Sequence, residues 1–71
     1  MPYFYDVPGF TLMIARRNDF EWVLSINDMY VKSYVSPYQA AGDAATQDTG
    51  DEKYDASPIA APADLREWTA R

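Results

Sequence analysis

The chain has 71 residues, no cysteine and no histidine, and 48% of its residues are hydrophobic. These numbers describe one small globular domain, and they exclude disulfide cross-links, thiolate nucleophiles, Cys/His zinc sites and imidazole catalysis. The formal net charge of −5 is unfavourable for general binding to nucleic acid or to anionic membranes.

Residues 1–9 predict an extended arm or an edge strand. Tyr3, Phe4 and Tyr5 lie between Pro2 and Pro8, and proline is tolerated at the edge of a sheet. The arm either closes the edge of its own sheet or pairs with another copy or a partner by strand addition. The N-terminal residues show no targeting signal, and the chain has no cysteine to form a disulfide. We therefore expect a cytoplasmic protein.

Residues 10–35 predict a three-stranded antiparallel meander, whose strands span 10–15, 20–26 and 29–35. Alternation of apolar and polar side chains is clearest in the second strand and is typical of a half-buried strand. Asn27-Asp28 predicts a hairpin loop, because both residue types tolerate a positive φ.

The lengths of the two loops predict the register of this meander. The Asn27-Asp28 loop pairs Leu24 with Val31. A three-residue loop at 17–19 pairs Leu12 with Leu24 and places the apolar residues of the first two strands on one face.

The segment 36–50 predicts an alanine-rich helix packed on the sheet. Ser36 is a good N-cap, Pro37 suits the first helical position, and Gln39 completes a capping box. Thr49-Gly50 provides a C-terminal stop.

A connector, 51–61, leads to a short final helix predicted over 62–70. Leu65 and Trp68 are one helical turn apart, so they are expected to dock together. The sequence therefore predicts one α+β domain with the order β-β-β-α-α.

Negative charge is concentrated in residues 43–55, which we call the acidic segment. Its five acids, opposed only by Lys53, give a net charge of −4; they are Asp43, Asp48, Asp51, Glu52 and Asp55. Clustered carboxylates can imitate the phosphates of nucleic acid and occupy a basic site on a partner. The alternatives are a solvated loop and a calcium site, and the spacing of the acids differs from that of an EF-hand loop.

A second candidate surface is the alternation of Tyr30, Lys32 and Tyr34 on one predicted face of the sheet. Aromatic and basic residues in this pattern can stack and neutralise a single-stranded nucleic acid. The alternatives are cross-strand packing and a protein interface. Since the net charge opposes nucleic acid, we expect Tyr30 and Tyr34, together with Tyr54, to provide aromatic contacts to a protein partner.

Catalytic chemistry has little support in the sequence. The serines have no imidazole to activate them, and no glycine-rich phosphate loop is present. A chain of this size also has difficulty enclosing a water-excluding pocket. We therefore expect no enzymatic activity, no cofactor and no metal.

The chain carries four short patterns, which are Trp22-x-x-x-x-Asn27-Asp28, Ser36-Pro37-x-x-Ala40-Ala41-x-Asp43, Thr49-Gly50 and Pro62-x-x-Leu65-x-x-Trp68. Together they resemble small acidic accessory proteins of phages and mobile elements, anti-CRISPR proteins among them. Asp28 and Tyr54 depart from the expected glycine and tryptophan. The resemblance implies stoichiometric binding to a host defence complex and transfers no individual site residue.

The leading prediction is a non-catalytic protein-binding module, an inhibitor from a phage or mobile element. Its partner is expected to be a host protein with a basic surface in a nucleic-acid-handling or defence complex, with no direct binding to nucleic acid or membrane. The alternative is a homo-oligomeric structural or accessory protein that assembles, for example as a homodimer, through its aromatic arm and sheet face.

Overall fold

The computed structural model describes residues 2–70 and has an α+β architecture with a five-stranded antiparallel sheet. Met1 of the predicted arm lies outside the described residues, as does Arg71. The strands are β1 (Tyr3–Val7), β2 (Phe10–Asn18), β3 (Glu21–Ile26), β4 (Met29–Tyr34) and β5 (Thr69–Ala70). The helices are α1 (Pro37–Thr46) and α2 (Glu52–Asp55), followed by a 3₁₀ turn at Leu65–Glu67. Across the sheet the order is β4-β3-β2-β1-β5.

Two strands extend the predicted meander on one side. The aromatic arm forms β1, which pairs with β2 along its whole length and with β5 on its other side, where Phe4 faces Thr69. The arm is therefore an interior strand of its own sheet, which is the first of the two predicted alternatives, and Tyr3 and Phe4 are paired on both sides. Pairing of the arm with another copy is the alternative that this arrangement does not favour.

The final helix predicted over 62–70 is replaced by the 3₁₀ turn and β5. Asp64 caps the turn by accepting a hydrogen bond from the Arg66 N–H at 2.9 Å. Trp68 then has extended backbone, with φ −85° and ψ 151°, and its indole N–H donates to the carbonyl of Pro62 at 2.8 Å. Leu65 and Trp68, which were expected to dock together, are both buried in the core.

The hairpin of β2 and β3 has a shorter loop than predicted. Its turn is Asp19-Phe20, since β2 continues to Asn18 and β3 begins at Glu21. Asn18 Oδ1 stabilises the turn by accepting a hydrogen bond from the Phe20 N–H at 2.9 Å. Leu12 faces Ile26 rather than Leu24, so the predicted register is wrong.

A β-bulge between Arg16 and Asn18 adds one residue to this hairpin. The shorter turn alone would place the apolar side chains of β2 on the face opposite to those of β3. The bulge shifts the register by one residue and returns them to the same face. Consequently Leu12 and Ile14 do share a face with Leu24 and Ile26, as the apolar pattern predicts.

The hairpin of β3 and β4 has the predicted loop and an unpredicted bulge. Asn27 and Asp28 have positive φ values of 53° and 66°, and Ile26 faces Met29. Past the bulge, however, Leu24 faces Lys32 instead of Val31. The bulge therefore places the side chains at the end of β4 on the face of the sheet opposite to the one predicted.

One hydrophobic core lies between the sheet and the helical segments. The buried residues are Val7, Leu12, Ile14, Leu24, Ile26, Tyr34, Ala40, Ala41, Ala44, Tyr54, Ala61, Leu65 and Trp68. Ser36 caps α1 as predicted, with its Oγ accepting from the Gln39 N–H at 3.3 Å. Within the predicted segment 36–50 the helix spans Pro37–Thr46, and it ends there because Gln47 takes the left-handed conformation with φ 55°.

Candidate functional site

The acidic segment contains the last part of α1, a turn, and α2, which lies in the predicted connector. Asp51 is the N-cap of α2, and its Oδ1 accepts a hydrogen bond from the Tyr54 N–H at 3.1 Å. A helix of four residues is unstable in isolation. The cap and the burial of Tyr54 hold α2 in place.

Asp55 closes the turn between α1 and α2. Its carboxylate accepts hydrogen bonds from the Thr49 N–H at 3.1 Å, the Thr49 hydroxyl at 2.8 Å and the Gly50 N–H at 3.0 Å. Thr49 is only 2% exposed, and its hydroxyl accepts from the Asp51 N–H at 3.1 Å. Asp51 and Asp55 are therefore fixed by the backbone of their own segment.

Tyr54 anchors the segment to the core instead of facing a partner. Its side chain is 0% exposed, and its ring packs edge-on against Phe10 with the centroids 5.5 Å apart. The hydroxyl donates to the Ala44 carbonyl at 2.6 Å and accepts from the Ala61 N–H at 2.9 Å. The expectation that Tyr54 contacts a partner does not agree with this burial.

Asp43 links the acidic segment to the end of β4. Its Oδ2 accepts a hydrogen bond from the Tyr34 hydroxyl at 2.8 Å and lies 3.5 Å from Lys32 Nζ. Both contacts depend on the bulge in β4, since the bulge turns Lys32 and Tyr34 towards α1.

Carboxylates from several parts of the acidic segment affect the pKa of Tyr34. The pKa of Tyr34 is raised well above its usual value, first by burial and then by the hydrogen bond to Asp43. The charges of Asp43, Asp48 and Asp55 raise the pKa further. Three acids distributed over the segment therefore act on the same phenol.

Asp48 and Glu52 are the exposed acids of the segment. Asp43, Asp51 and Asp55 are half-buried and accept the hydrogen bonds described above. The segment thus combines carboxylates that hold its shape with carboxylates that face solvent.

The predicted surface of Tyr30, Lys32 and Tyr34 is divided between the two faces of the sheet. Tyr30 is 62% exposed, and its hydroxyl lies 3.0 Å from Ser33 Oγ. Tyr34 is 9% exposed, and Lys32 lies beside it with Nζ 5.5 Å from the ring centroid. The single-stranded nucleic-acid hypothesis required all three side chains on one face, so the structure removes its geometric basis.

An open cleft of about 630 Å³ beside this site was not anticipated from the sequence. It lies between the β2–β3 turn, the end of β4 and the start of α1, and its lining residues are Asn18, Phe20, Glu21, Lys32, Ser33, Tyr34, Val35 and Gln39. Phe20 and Val35 are 84% and 73% exposed, although the sequence predicts both as strand residues. The apolar pattern gives no signal for the cleft, since Lys32 and Tyr34 are turned to this face by the bulge in β4.

Within residues 2–70, no group of three or more acidic side chains is placed to hold a metal ion. No helix in the described part of the chain is long and apolar enough to cross a membrane. Compared with known protein families, curated proteins and solved structures, the chain matches none of them.

Proposed function

We propose that the protein is a non-catalytic binding module whose acidic segment docks on a basic surface of a partner protein. The observation that supports this most directly is the fixed arrangement of the acidic segment. Five acids and one base lie within thirteen residues, and three of the carboxylates are held by hydrogen bonds to the fold.

Rigidity distinguishes this segment from a disordered acidic tail. A partner that binds an ordered loop does not have to fix its backbone at the moment of binding, so less of the interaction energy is lost to ordering. Asp48 and Glu52 then present charge from a defined scaffold. The half-buried carboxylates of Asp43 and Asp55 add to the same negative field.

The cleft beside β4 supplies the apolar contact in this proposal. Phe20 and Val35 are exposed at its rim, and the Lys32–Asp43 ion pair lies between the cleft and the acidic segment. An aromatic anchor next to charged groups is typical of energetically important interface sites. Phe20 takes the role that the sequence had assigned to Tyr54.

We propose further that the partner belongs to a host complex that handles nucleic acid, in the cytoplasm. Such complexes carry basic surfaces for phosphate, and an ordered set of carboxylates can compete for them. The same class of partner is expected from the short sequence patterns that resemble phage and mobile-element proteins.

The test is competition for a host nucleic-acid-handling complex, with binding measured at increasing salt and in the presence of DNA. We expect affinity to fall steeply with salt and DNA to displace the protein. The variant Asp48→Lys with Glu52→Lys should lose about tenfold or more in affinity, because both exposed charges are reversed.

The matched control is Asp6→Lys with Glu67→Lys, which changes the net charge by the same amount at exposed acids outside the acidic segment. Both double variants should keep their melting temperature, since none of the four side chains bears a hydrogen bond that the fold needs. Equal losses of affinity in the two variants would show that net charge alone matters and would overturn the proposal. Unchanged affinity in the first variant would do the same.

A further inference from the structure

The sheet has a covered face and an open face. Leu12, Ile14, Leu24 and Ile26 are buried in the core against α1, so the residues alternating with them point to the other side. Every buried residue of the described helices and of the 3₁₀ turn belongs to that same core. We call the opposite side the open face, and its residues are Phe4, Asp6, Thr11, Met13, Ala15, Val23, Ser25, Tyr30, Ser33 and Thr69.

The middle of the open face is uncharged. Met13 lies opposite Ser25, and Ala15 lies opposite Val23 on the neighbouring strand; all four are half-buried. Tyr30 adds an exposed ring on β4. Charged residues are depleted at the centre of protein interfaces, whereas Met and Tyr are enriched there.

The charges of the open face lie at its two ends. Asp6 lies at one end, opposite Thr11. At the other end Arg17, the residue inserted by the β-bulge, has its Nε 3.8 Å from Oε1 of Glu21, and Glu21 continues the alternation of Val23. The acidic segment is on the covered side, because α1 and α2 both pack there.

We propose that the open face binds the open face of a second copy of this chain, with the strands of the two sheets running in opposite directions. This inference is independent of the proposed function, because the acidic segments stay on the outer sides of the pair. It also differs from assembly through the aromatic arm, which is an interior strand.

The distribution of charge selects a second copy as the occupant. Each copy carries a net charge of −5, so two copies can approach closely only where acids are scarce, and the middle of the open face has none. A two-fold axis that crosses the strands between Met13 and Ala15 exchanges the two ends of the face. Asp6 of each copy then lies near Arg17 of the other, which is a complementary placement.

The area of the face determines how strong the pair can be. Four strands about 4.8 Å apart, with about six residues each at about 3.4 Å per residue, cover roughly 400 Å² per copy. Stable dimers bury about 800 Å² per partner. The dimer is therefore weak, and it forms as the protein concentration is raised.

Sedimentation equilibrium of the full chain from about 10 μM to about 1 mM tests the proposal. The average mass should rise from the monomer value towards twice that value. Val23→Lys, at the centre of the open face, should remain monomeric throughout the range. The control Ile59→Lys changes an exposed apolar residue away from the sheet, and it should dimerise like the parent chain.

Ser25→Glu provides a second disruption in case Val23→Lys fails to fold, because it places a charge at the same centre on a half-buried polar position. The orientation is tested by charge exchange. Asp6→Arg should weaken the dimer at least threefold, and adding Arg17→Asp should restore it. No recovery in the double variant would overturn the antiparallel arrangement.

Salt distinguishes this association from binding through the acidic segment. Screening reduces the repulsion between two chains of net charge −5, so dimerisation should be maintained or strengthened by salt, whereas a basic partner is released. A monomer at every concentration, or a dimer that dissociates as salt is raised, would overturn the assignment of the open face.

Discussion

The sheet and the segment that follows it are stabilised in different ways. In the sheet, buried aliphatic residues such as Leu12 and Leu24 alternate with half-buried ones, and the side-chain hydrogen bonds within the sheet and its turns are exposed. The part-buried hydrogen bond of Tyr34 joins the sheet to Asp43. In residues 43–61, by contrast, Gln47, Tyr54 and Asp55 make buried or half-buried hydrogen bonds to the backbone.

This difference teaches where single polar side chains matter. A sheet satisfies its backbone through its own ladder, so its side chains are free to provide burial. A segment with one four-residue helix has few such bonds, and side chains must satisfy the remaining backbone groups. Removing a polar side chain that bonds the backbone should therefore cost more stability in residues 43–61 than on the sheet.

The largest expected effect is that of Tyr54→Phe. The change removes a hydroxyl that bonds the Ala44 carbonyl and the Ala61 N–H. It leaves the Ala61 N–H buried without a partner and the Ala44 carbonyl with only the longer bond from the Gln47 N–H at 3.4 Å. We expect the free energy of unfolding to fall by about 3 kcal/mol, measured by urea denaturation. A loss below about 1 kcal/mol would contradict the claim that side chains support this segment.

Asp55→Ala is expected to cost about 2 kcal/mol, because it removes the acceptor for the N–H groups of Thr49 and Gly50 and for the Thr49 hydroxyl. The matched control is Asp48→Ala, an exposed acid of the same segment, which should change stability by less than about 0.5 kcal/mol. If both variants lose the same stability, the division between structural and solvent-facing acids is wrong.

The hydrophobic pattern predicted much of the sheet, because burial on one face imposes a period of two on β2 and β3. It did not predict the bulges at Arg17 and Val31, since a single inserted residue leaves the composition of a strand unchanged. The consequences were large at β4, where Lys32 and Tyr34 moved to the covered face.

The candidate site was predicted as a run of charge but not as a structure. The positions of the five acids follow directly from the sequence. Their roles depend on contacts with residues that are not at the spacing of a helical turn or of a strand. Asp55 reaches back to Thr49, and Tyr54 reaches Ala44 and Ala61. Such contacts form only when the turn between α1 and α2 is in place, so no local sequence pattern predicts them.

Alkaline pH should affect the contact between the sheet and the acidic segment. An unfolded tyrosine loses its proton near pH 10, whereas the pKa of Tyr34 in the fold is higher because of burial and the hydrogen bond to Asp43. The stabilisation is therefore complete below about pH 10 and is lost as the pH rises, by about 1.4 kcal/mol per pH unit.

Urea denaturation of the parent chain and Tyr34→Phe at several pH values from about 9 to 11 measures this slope. The variant should show the shallower decline. Some alkaline loss should remain in it, because burial also raises the pKa of Tyr54. Identical slopes in the two proteins would mean that Tyr34 has the same pKa in the folded and the unfolded chain, which would contradict the prediction.

Asp51→Ala removes the N-cap of α2 and is expected to cost about 1 kcal/mol. Asp51→Asn is the informative control, since asparagine retains an oxygen acceptor for the Tyr54 N–H while losing the charge. We expect the asparagine variant to keep most of the stability in thermal denaturation. Equal losses in both variants would assign the effect to charge rather than to capping.

The smallest expected effect is that of a substitution in the sheet, at Asp28, and it is a gain in stability rather than a loss. Asp28 has φ 66°, a conformation that glycine adopts without the steric cost of a Cβ atom. Asp28→Gly should therefore raise the free energy of unfolding by about 0.5 kcal/mol in urea denaturation.

The neighbouring Asn27 has φ 53°, but its side chain accepts from the Thr11 N–H at 2.9 Å and donates to the Gly9 carbonyl at 3.3 Å. Asn27→Gly should consequently destabilise the fold, even though its backbone conformation also favours glycine. If both glycine variants are stabilised, backbone conformation outweighs the side-chain bonds in this turn. Polar side-chain hydrogen bonds would then matter less for stability in the sheet than in residues 43–61, even at Asn27, which joins two turns of the sheet.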